Sequence, residues 1–386
     1  AGIALSTKIE IVSNHIDLEE LTRFRYDIYV RSMQKEVVGA DHESGRITDE
    51  LDAISKNLVI KKNNGILGAL RLTYADELTS LPERFAEYQE MFCFKPFLES
   101  KSGRICFTSR LMISPELRGS TVLWRLFSKA FQTAMSDGVT FDFCAAPPHM
   151  AQLYSQLGYR RYKSNILYES FGYDIPMVQV LRDEQHLEKC GSPFLKTLKE
   201  SLSGKICQEV AWFLENFTDA LQTYDLQSLD YSHALDQTFQ LALECTGETI
   251  FAGLTKDEVE ELRINTYPLK FESGDHIIQK EDYREEMFII EQGSVSVRQD
   301  REDTDAIILG RGQIFGEIGL LTATGRTADV IALEDGLIHV LSRQTAMRLI
   351  KTKPKLMATV LLNIGCILAG RMIGTYDNLK QYKANG

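Results

Sequence analysis

Several features that would place a protein in a special class are missing from this sequence of 386 residues. The seven cysteines are scattered without a CxxC pair, which is typical of free thiols in a reducing compartment, and no cluster indicates a metal site. No run of 18 apolar residues occurs, and the first residues lack the basic-then-apolar order of a secretion signal. The formal net charge of -11 argues against a general nucleic-acid binder. We therefore expect a cytoplasmic protein with no transmembrane segment and no nucleic-acid partner.

What the sequence does contain is the balance of an ordinary globular protein, with 44% hydrophobic and 25% charged residues. Its length favours two or three domains. Residues 7–182 alternate strand-like and helical patterns, 183–253 carry helical patterns alone, and 254–382 begin with short strands broken by glycines and end with helices. We expect a multidomain protein of the α/β and α+β classes: a mixed sheet with helices, a helical connector, and a small β-roll with lid helices.

Hydrophobic periodicity and turn residues predict the elements of the first region. Asn63, Asn64 and Gly65 form a strong hairpin signal between two apolar strands, and Gly158 is a helix-stop residue. The predicted strands are 9–12, 58–61, 66–72, 105–113 and 140–145. The predicted helices are 18–30, 122–136 and 148–157. This alternation favours helices packed on a mixed sheet.

A glycine-rich segment followed by an arginine is the most informative motif of the chain. The Phe315-Gly316-Glu317 run predicts the start of a short helix, and Arg326 follows nine residues after Glu317. A cyclic phosphodiester needs a guanidinium and backbone N–H groups around its negative charge, a carboxylate for its ribose hydroxyl, and small residues where the backbone approaches closely. The segment supplies all of these.

This segment resembles the phosphate-binding cassette of cyclic-nucleotide-binding domains, whose pattern F-G-E-x-[AG]-L-L and R-x-A-x-V appears here as FGEIGLL and RTADV. The resemblance extends over residues 254–375. It implies that Glu317 binds the ribose, that Arg326 binds the cyclic phosphate, and that Arg371 or Tyr376 in the lid contacts the base. The further residues implied to line the pocket are Gly316, Ile318, Gly319, Thr327 and Ala328. We expect no helix-turn-helix after the lid.

The choice between cAMP and cGMP stays open on this evidence. Thr327 follows the arginine, a position where related cGMP-responsive domains often carry threonine, but some cAMP-preferring domains carry it too. We favour cAMP slightly, because it is the commoner bacterial ligand. A relative that kept the fold and lost the ligand would usually lack the glutamate or the arginine, and both are present.

The first region resembles the GNAT acyltransferase superfamily. The run from Ile113 to Gly119 matches the V-x-P-x-x-R-G passage that cradles a pyrophosphate, and Tyr154 lies in a match to the later A-x-x-Y-x-x-x-G-F element. The resemblance implies that Arg118, Gly119 and Ser120 bind the phosphate of an acyl donor, as exposed amides at a helix start would. Thr121 and Leu123 replace two glycines of the usual loop, which disfavours coenzyme A. Tyr154 is implied as the acid toward the leaving thiolate.

The replacement of the two loop glycines by Thr121 and Leu123 points to the branch of autoinducer synthases and N-acyl amino acid synthases, which commonly use acyl carrier protein. Its motifs are matched by Arg25 and Tyr29, by Asp49 and Asp52, by Arg71, and by Ser109 and Arg110. The family's E-x-S-R element has Phe107 in place of its glutamate. General-base work would then fall to Asp49, Asp52 or a held water. The alternative is that both aspartates only pair with Arg25 and Arg71 as a structural ion network, and that Tyr154 is a packed helix residue.

The combined expectation is a bacterial N-acyltransferase gated by a cyclic nucleotide, with an acyl-carrier-protein or CoA thioester as donor and an amine as acceptor. The thioester is expected in a V-shaped opening between the strands near Leu72 and Ser109-Arg110. Two alternatives remain: a cyclic-nucleotide-regulated protein lysine acetyltransferase, and a non-catalytic nucleotide receptor with a degenerate acyltransferase domain.

Overall fold

A computed structural model describes residues 7–33, 37, 39–62, 65–100, 103–117, 121–163, 165–168, 172–201, 208–217, 249–299, 306–322 and 324–385. The chain divides into two compact units. The first unit comprises Ala1–Ile166 with Asp174–Thr223, and the second comprises Leu167–Tyr173 with Tyr224–Gly386.

The first unit is built on a mixed sheet. The strands up to Val180 are β1 (Lys8–Ile11), β2 (Ala40–Asp41), β3 (Arg46–Ile47), β4 (Ser55–Lys62), β5 (Gly65–Tyr74), β6 (Arg104–Ile113), β7 (Val139–Ala146), β8 (Arg160–Arg161), β9 (Ile166–Tyr168) and β10 (Gly172–Val180). Most of β9 and the first two residues of β10 fall in the range Leu167–Tyr173 that is grouped with the second unit. The order across the main sheet is β1-β4-β5-β6-β7-β10-β8, and β2 and β3 form a separate ribbon. The pairing along this order is antiparallel except between β6 and β7, which are parallel.

Helices cover both faces of this sheet. They are α1 (His15–Tyr26), α2 (Ala75–Leu78), α3 (Pro82–Phe92), α4 (Lys95–Glu99), α5 (Val122–Ser136), α6 (Ala151–Leu157), α7 (Glu184–Lys189), α8 (Leu195–Ser201) and α9 (Gln208–Asn216). A π-helical segment at Asp27–Ser32 and 3-10 turns at Glu50–Ile54, Pro115–Leu117 and Pro148–Met150 complete the unit. The fold class expected from the sequence is confirmed.

An aromatic cluster forms the core on one face of the sheet. It joins side chains of α3, α4 and α9 to the centres of β6 and β7, and Phe97 makes edge contacts with both Phe141 and Phe143. Its buried aromatic members are Tyr88, Phe92, Phe94, Phe97, Phe107, Phe141, Phe143, Tyr162 and Phe213. On β4, β5 and β7 lies α5, whose bounds agree with the predicted helix.

The second unit is a β-roll of two four-stranded sheets. Its strands are β11 (Tyr267–Phe271), β12 (His276–Ile278), β13 (Glu286–Gln292), β14 (Val295–Arg298), β15 (Ile307–Leu309), β16 (Ile314–Phe315), β17 (Asp329–Ala332) and β18 (Gly336–Ser342). The sheet orders are β11-β18-β13-β16 and β12-β17-β14-β15. The helices are α10 (Lys256–Ile264), α11 (Glu317–Thr322), α12 (Arg343–Thr352) and α13 (Pro354–Asn385).

Several elements differ from the sequence expectation. The predicted helix 18–30 begins earlier, because the Asn14 side chain accepts a bond from the Asp17 backbone amide, and it changes to the π-helical segment after Tyr26. The helix α10 was not predicted, although Thr255 and Glu258 form a capping box at its start.

Part of the predicted connector belongs to the first unit: α7, α8 and α9 lie within its range, and Phe213 of α9 packs into the aromatic cluster. Connector residues 202–207 and 218–248 and the hairpin tip at Asn63 and Asn64 lie outside the described residues. The three predicted domain bounds stay a prediction.

The last helix, α13, is more apolar than the sequence analysis suggested. Within the described part of the chain, Pro354–Gly374 is one segment long and apolar enough to cross a membrane by length and composition, with a mean hydropathy of 1.8. One face of this segment, including Met357, Val360 and Ile364, is buried in the core of the second unit together with α10 and β13. Its hydrophobicity therefore has a packing role on that face.

Candidate functional site

The glycine motif of the second unit places a carboxylate at the start of a short helix. Gly316 has a φ of +78°, which L side chains rarely adopt, and α11 begins at the next residue, Glu317. Glu317 is buried. A Cβ atom built on Gly316 would lie 2.9 Å from Arg326 Nη1, and one built on Gly319 would lie 2.7 Å from it. The two glycines therefore leave the space that the arginine occupies.

The Arg326 guanidinium is buried with part of its hydrogen-bonding capacity unused. Only 5% of the residue is exposed, and Nη1 donates to the Gly316 carbonyl oxygen at 2.8 Å. Among the described residues, the buried Nε and Nη2 atoms have no hydrogen-bond partner, although Nη2 lies 3.5 Å from a carboxylate oxygen of Glu286. Burial lowers the pKa of Arg326, and the charge of Glu286 opposes this. Buried donors without acceptors are costly, so this arrangement favours an anionic ligand.

The lid arginine is placed differently from the expectation. Arg371 Nη1 donates to Glu317 Oε1 at 2.8 Å, and Nη2 donates to the Ile314 carbonyl oxygen at 2.7 Å. Its guanidinium therefore lies on the carboxylate that the motif assigns to the ribose. The Tyr376 side chain lies outside the described residues.

The other motif residues line the same region. Thr327 is exposed and Ala328 half-buried, while Gly319 is buried and Ile318 is 36% exposed. The strand that follows Arg326 is β17, which begins at Asp329. Thr327 thus precedes the strand, where its hydroxyl is accessible. The individual roles of these residues stay predictions.

A buried ion network lies in the first unit where acyltransferase residues were expected. Arg25 binds both oxygens of Asp52, at 2.5 and 2.7 Å. Arg71 Nη1 lies 2.8 Å from Asp49 and 3.6 Å from Asp52, and Arg110 donates to Asp49 at 2.8 Å. Motif residues far apart in sequence are therefore in direct contact, with Ser109 Oγ accepting from Arg71 Nε at 3.2 Å.

The charges of this network determine how basic Asp49, one of the expected general bases, is. Burial opposes ionisation of Asp49, but the charges of Arg71 and Arg110 hold the pKa of this carboxyl well below its usual range. A carboxylate of such low basicity removes a proton from an ammonium group poorly. The contacts of Asp49 and Asp52 are those of the structural ion network considered as the alternative.

Arg110 itself has an unusual backbone. Its φ is +53°, and the register of β5 with β6 shifts between Ala69 and Arg71, so that two residues of β6 oppose the single Leu70. Such a bulge bends the strand and redirects a side chain. Here it brings Arg110 to Asp49 and places its guanidinium 5.6 Å from the centre of the Tyr29 ring.

The V-shaped opening is not where the sequence analysis expected it. Leu72 pairs with Thr108 and Arg71 with Ser109, so β5 and β6 are joined at this point. The strands that separate are β6 and β7: their parallel pairing ends at Phe107 and Phe143, although β6 continues to Ile113 and β7 to Ala146. The predicted position of the opening, between the strands near Leu72 and Ser109-Arg110, was wrong because the strand order was not available from the sequence.

The phenylalanine that replaces the family glutamate is part of the core. Phe107 is 1% exposed and stacks on Tyr88 with ring centroids 4.2 Å apart. Its side chain faces the aromatic cluster, so no polar group takes the place of the carboxylate there.

A different buried carboxylate, missed by the sequence analysis, lies on the other side of the same strand pair. Asp142 Oδ2 accepts from Thr108 Oγ1 at 2.7 Å and from the Tyr159 hydroxyl at 2.5 Å, and Oδ1 lies 3.3 Å from Cys106 Sγ. Burial raises the pKa of Asp142 to about 6 despite these bonds. A polar residue inside the apolar strand Val139–Ala146 was the available signal.

Tyr154 lies on this second face. It is buried on α6 and makes edge contacts with Phe127 and Tyr159, at centroid distances of 5.8 and 5.4 Å. Burial raises the pKa of Tyr154, so the hydroxyl stays protonated at neutral pH. The predicted phosphate-binding residues Arg118, Gly119 and Ser120 lie outside the described residues; α5 begins at Val122, two positions after Ser120.

Comparison with known families identifies both regions. Residues 20–180 match the family model of the N-acyl amino acid synthase FeeM, and residues 268–353 match that of the cyclic nucleotide-binding domain. The chain therefore joins an N-acyl amino acid synthase-like, acyltransferase-type region to a cyclic nucleotide-binding domain, which confirms the resemblance found in the sequence motifs.

Individual relatives match only parts of the chain. The cAMP-dependent protein kinase type II regulatory subunit of Drosophila melanogaster is 44% identical over 64 residues, which are 16% of this chain and 17% of that protein. The cyclic nucleotide-gated channel alpha-2 of Oryctolagus cuniculus is 30% identical over 152 residues, 35% of this chain and 22% of that protein. The chain thus spans about a fifth of the length of these curated relatives. A solved CoA-dependent acyl-homoserine lactone synthase has 18% sequence identity and a TM-score of 0.37, over 48% of this chain and 90% of that one.

Proposed function

We propose that this protein is a cytoplasmic N-acyltransferase whose activity is regulated by a cyclic nucleotide bound to the second unit. The acyl group passes from a thioester of acyl carrier protein or coenzyme A to an amine. The observation that carries the nucleotide part of the proposal is the buried Arg326 guanidinium next to Gly316 and Gly319, which has two donor atoms without a hydrogen-bond partner in the part of the chain that the structure describes.

Nucleotide binding is tested by calorimetry with cAMP and cGMP on the full chain. Arg326→Ala removes the guanidinium and abolishes binding, because the cyclic phosphate loses its charge-assisted bonds. Arg311→Ala, an exposed arginine of the same unit, is the matched control and keeps the wild-type affinity. Unchanged affinity in the Arg326 variant would contradict the pocket.

For the acyl transfer, the proposal places the thioester in the opening between β6 and β7. Beyond Phe107 and Phe143 these strands no longer pair with each other, so backbone N–H groups at this edge are candidates to stabilise the oxyanion. The amine nitrogen forms the new amide bond, its proton leaves to a base, and the departing sulfur takes a proton from Tyr154.

Asp49 and Asp142 are the two carboxylates considered as the general base, and their electrostatic environments differ. Asp49 is committed to two arginines, whereas Asp142 has a raised pKa and is bonded to Thr108, a β6 residue immediately after the last β6–β7 pair. We assign proton acceptance to Asp142 acting through the Thr108 hydroxyl. Asp49 and Asp52 then position Arg71 and Arg110.

The alternative of a non-catalytic nucleotide receptor is favoured by one observation, the replacement of the family glutamate by the core residue Phe107. A lysine acetyltransferase using acetyl-CoA is disfavoured by Thr121 and Leu123 in the donor loop. Acylation assays with acyl carrier protein, long-chain acyl-CoA and acetyl-CoA as donors, each with and without cyclic nucleotide, separate the three functions. Turnover with the first or second donor that changes with nucleotide supports the proposal, and no turnover with any donor supports the receptor.

A further inference from the structure

Three arginine–carboxylate pairs surround the proposed nucleotide pocket, and together they carry no net charge. The pairs and their N–O distances are Arg326–Glu286 at 3.5 Å, Arg371–Glu317 at 2.8 Å and Arg284–Asp282 at 3.1 Å. Each of these three arginines therefore has a counter-ion before any ligand binds.

The Arg326–Glu286 pair is the most deeply buried of the three, with side-chain exposures of 3% and 2%. Glu286 begins β13 and lies outside the glycine motif and the arginine motif. Its backbone carbonyl also packs against Gly316, 3.1 Å from the position of a Cβ there. A charge this close to the phosphate arginine and away from solvent is weakly screened by salt.

A bound phosphate must share Arg326 with Glu286. The repulsion between Glu286 and the ligand grows in proportion to the ligand's charge. A cyclic phosphodiester carries a single negative charge, whereas a 5′-phosphate monoester carries nearly two near neutral pH. Because the three pairs balance one another, the first ligand adds one uncompensated negative charge to them and the second adds nearly two.

We propose that Glu286 is a specificity-determining residue that makes the pocket select monoanionic cyclic phosphodiesters over dianionic phosphate monoesters. The inference rests on the proposed nucleotide binding and adds to it a reason for rejecting hydrolysed nucleotides such as 5′-AMP. Arg326 supplies affinity for phosphate, and Glu286 disfavours the binding of a phosphate that carries more than one negative charge.

The experiment compares cAMP and 5′-AMP on the full chain at pH 7.5, by displacement of a fluorescent cyclic nucleotide. In Glu286→Gln, which keeps the shape and removes the charge, cAMP binds about 10-fold and 5′-AMP about 100-fold more tightly, since doubling the ligand charge doubles the gain in free energy. The preference for cAMP therefore falls about 10-fold. Glu285→Gln is the matched control: it removes the same charge from an exposed neighbour and leaves both affinities unchanged.

Other outcomes overturn the inference or the function beneath it. Equal changes for the two ligands, weaker binding of both, or no measurable 5′-AMP binding in either protein overturn the role of Glu286. A wild-type protein that binds neither cAMP nor cGMP overturns the nucleotide site itself, which is a separate result. If Glu286→Gln does not fold, Asp282→Asn removes another carboxylate acting on Arg326 and shifts the preference in the same direction by a smaller factor; an unchanged preference there overturns the inference too.

Discussion

Replacing Asp142 by asparagine is expected to stabilise the first unit at neutral pH and to have no such effect in acid. Burial raises the pKa of Asp142 from 3.8 to about 6, so the folded state binds a proton more readily than the unfolded state does. The stability associated with that proton is fully present below pH 4 and is lost as the pH rises through 6. The difference of about 2 pKa units corresponds to about 3 kcal/mol. Asparagine keeps the side-chain shape and does not titrate.

The assay is urea unfolding of the full chain at several pH values between 4.5 and 8, followed by tryptophan fluorescence. The two tryptophans, Trp124 and Trp212, both lie in the first unit, so the signal reports that unit alone. His186, whose pKa is lowered to about 3 mainly by burial, also changes stability over this range. Its contribution is the same in both proteins and cancels in their difference.

The expected result is a free-energy difference between variant and wild type that increases by about 2 kcal/mol between pH 4.5 and pH 8, since about 1 kcal/mol of the full effect is already lost at pH 4.5. A difference that stays constant across this range would show that the three donors around Asp142 fully compensate its charge. The assignment of Asp142 as the proton acceptor would then lose its electrostatic basis.

Two further predictions concern residues whose environments differ sharply. Arg25→Met is expected to destabilise the first unit by about 3–5 kcal/mol because it leaves the Asp52 charge buried, whereas Arg31→Met, at an exposed pair, changes stability by less than about 1 kcal/mol. Similar losses in these two unfolding experiments would refute the importance of burial. Thr327→Ala is expected to weaken cGMP more than cAMP in calorimetry, and an equal effect on both would remove the threonine as a selectivity determinant.

The glycines and the arginine of the nucleotide motif lie together in the structure, as the sequence indicated, because the motif is local. Glu317, Gly319 and Arg326 lie within ten positions of one another, so their spacing along the chain constrains their spacing in the fold. Phe107 and Asp142 illustrate the limit in the other unit. Whether either meets a polar or an aromatic partner depends on the parallel register of β6 with β7, which pairs residues 36 positions apart. No local pattern fixes that register.

The side-chain partners of motif residues were predicted less well than their positions. The motif implies that Glu317 is available to a ribose, yet Arg371 binds it from a helix that begins 37 residues later. A bond between distant elements depends on how a helix packs, which the motif does not encode. The paired aspartates and arginines of the first unit were foreseen as an ion network, since charges that share a buried region must compensate one another.

The left-handed backbone of Arg110 has a consequence for which substitutions the position accepts. Glycine adopts this conformation without strain, so Arg110→Gly would relax the backbone of β6. The same substitution removes the guanidinium that donates to Asp49. The backbone conformation of residue 110 therefore favours glycine, whereas the ion pair with Asp49 requires the arginine side chain. Exchanging the arginine for a long uncharged side chain keeps the backbone strain and removes the charge, whereas exchanging it for glycine removes both. Comparing the stability of the two variants with that of the wild type therefore separates the backbone strain of the bulge from the contribution of the guanidinium.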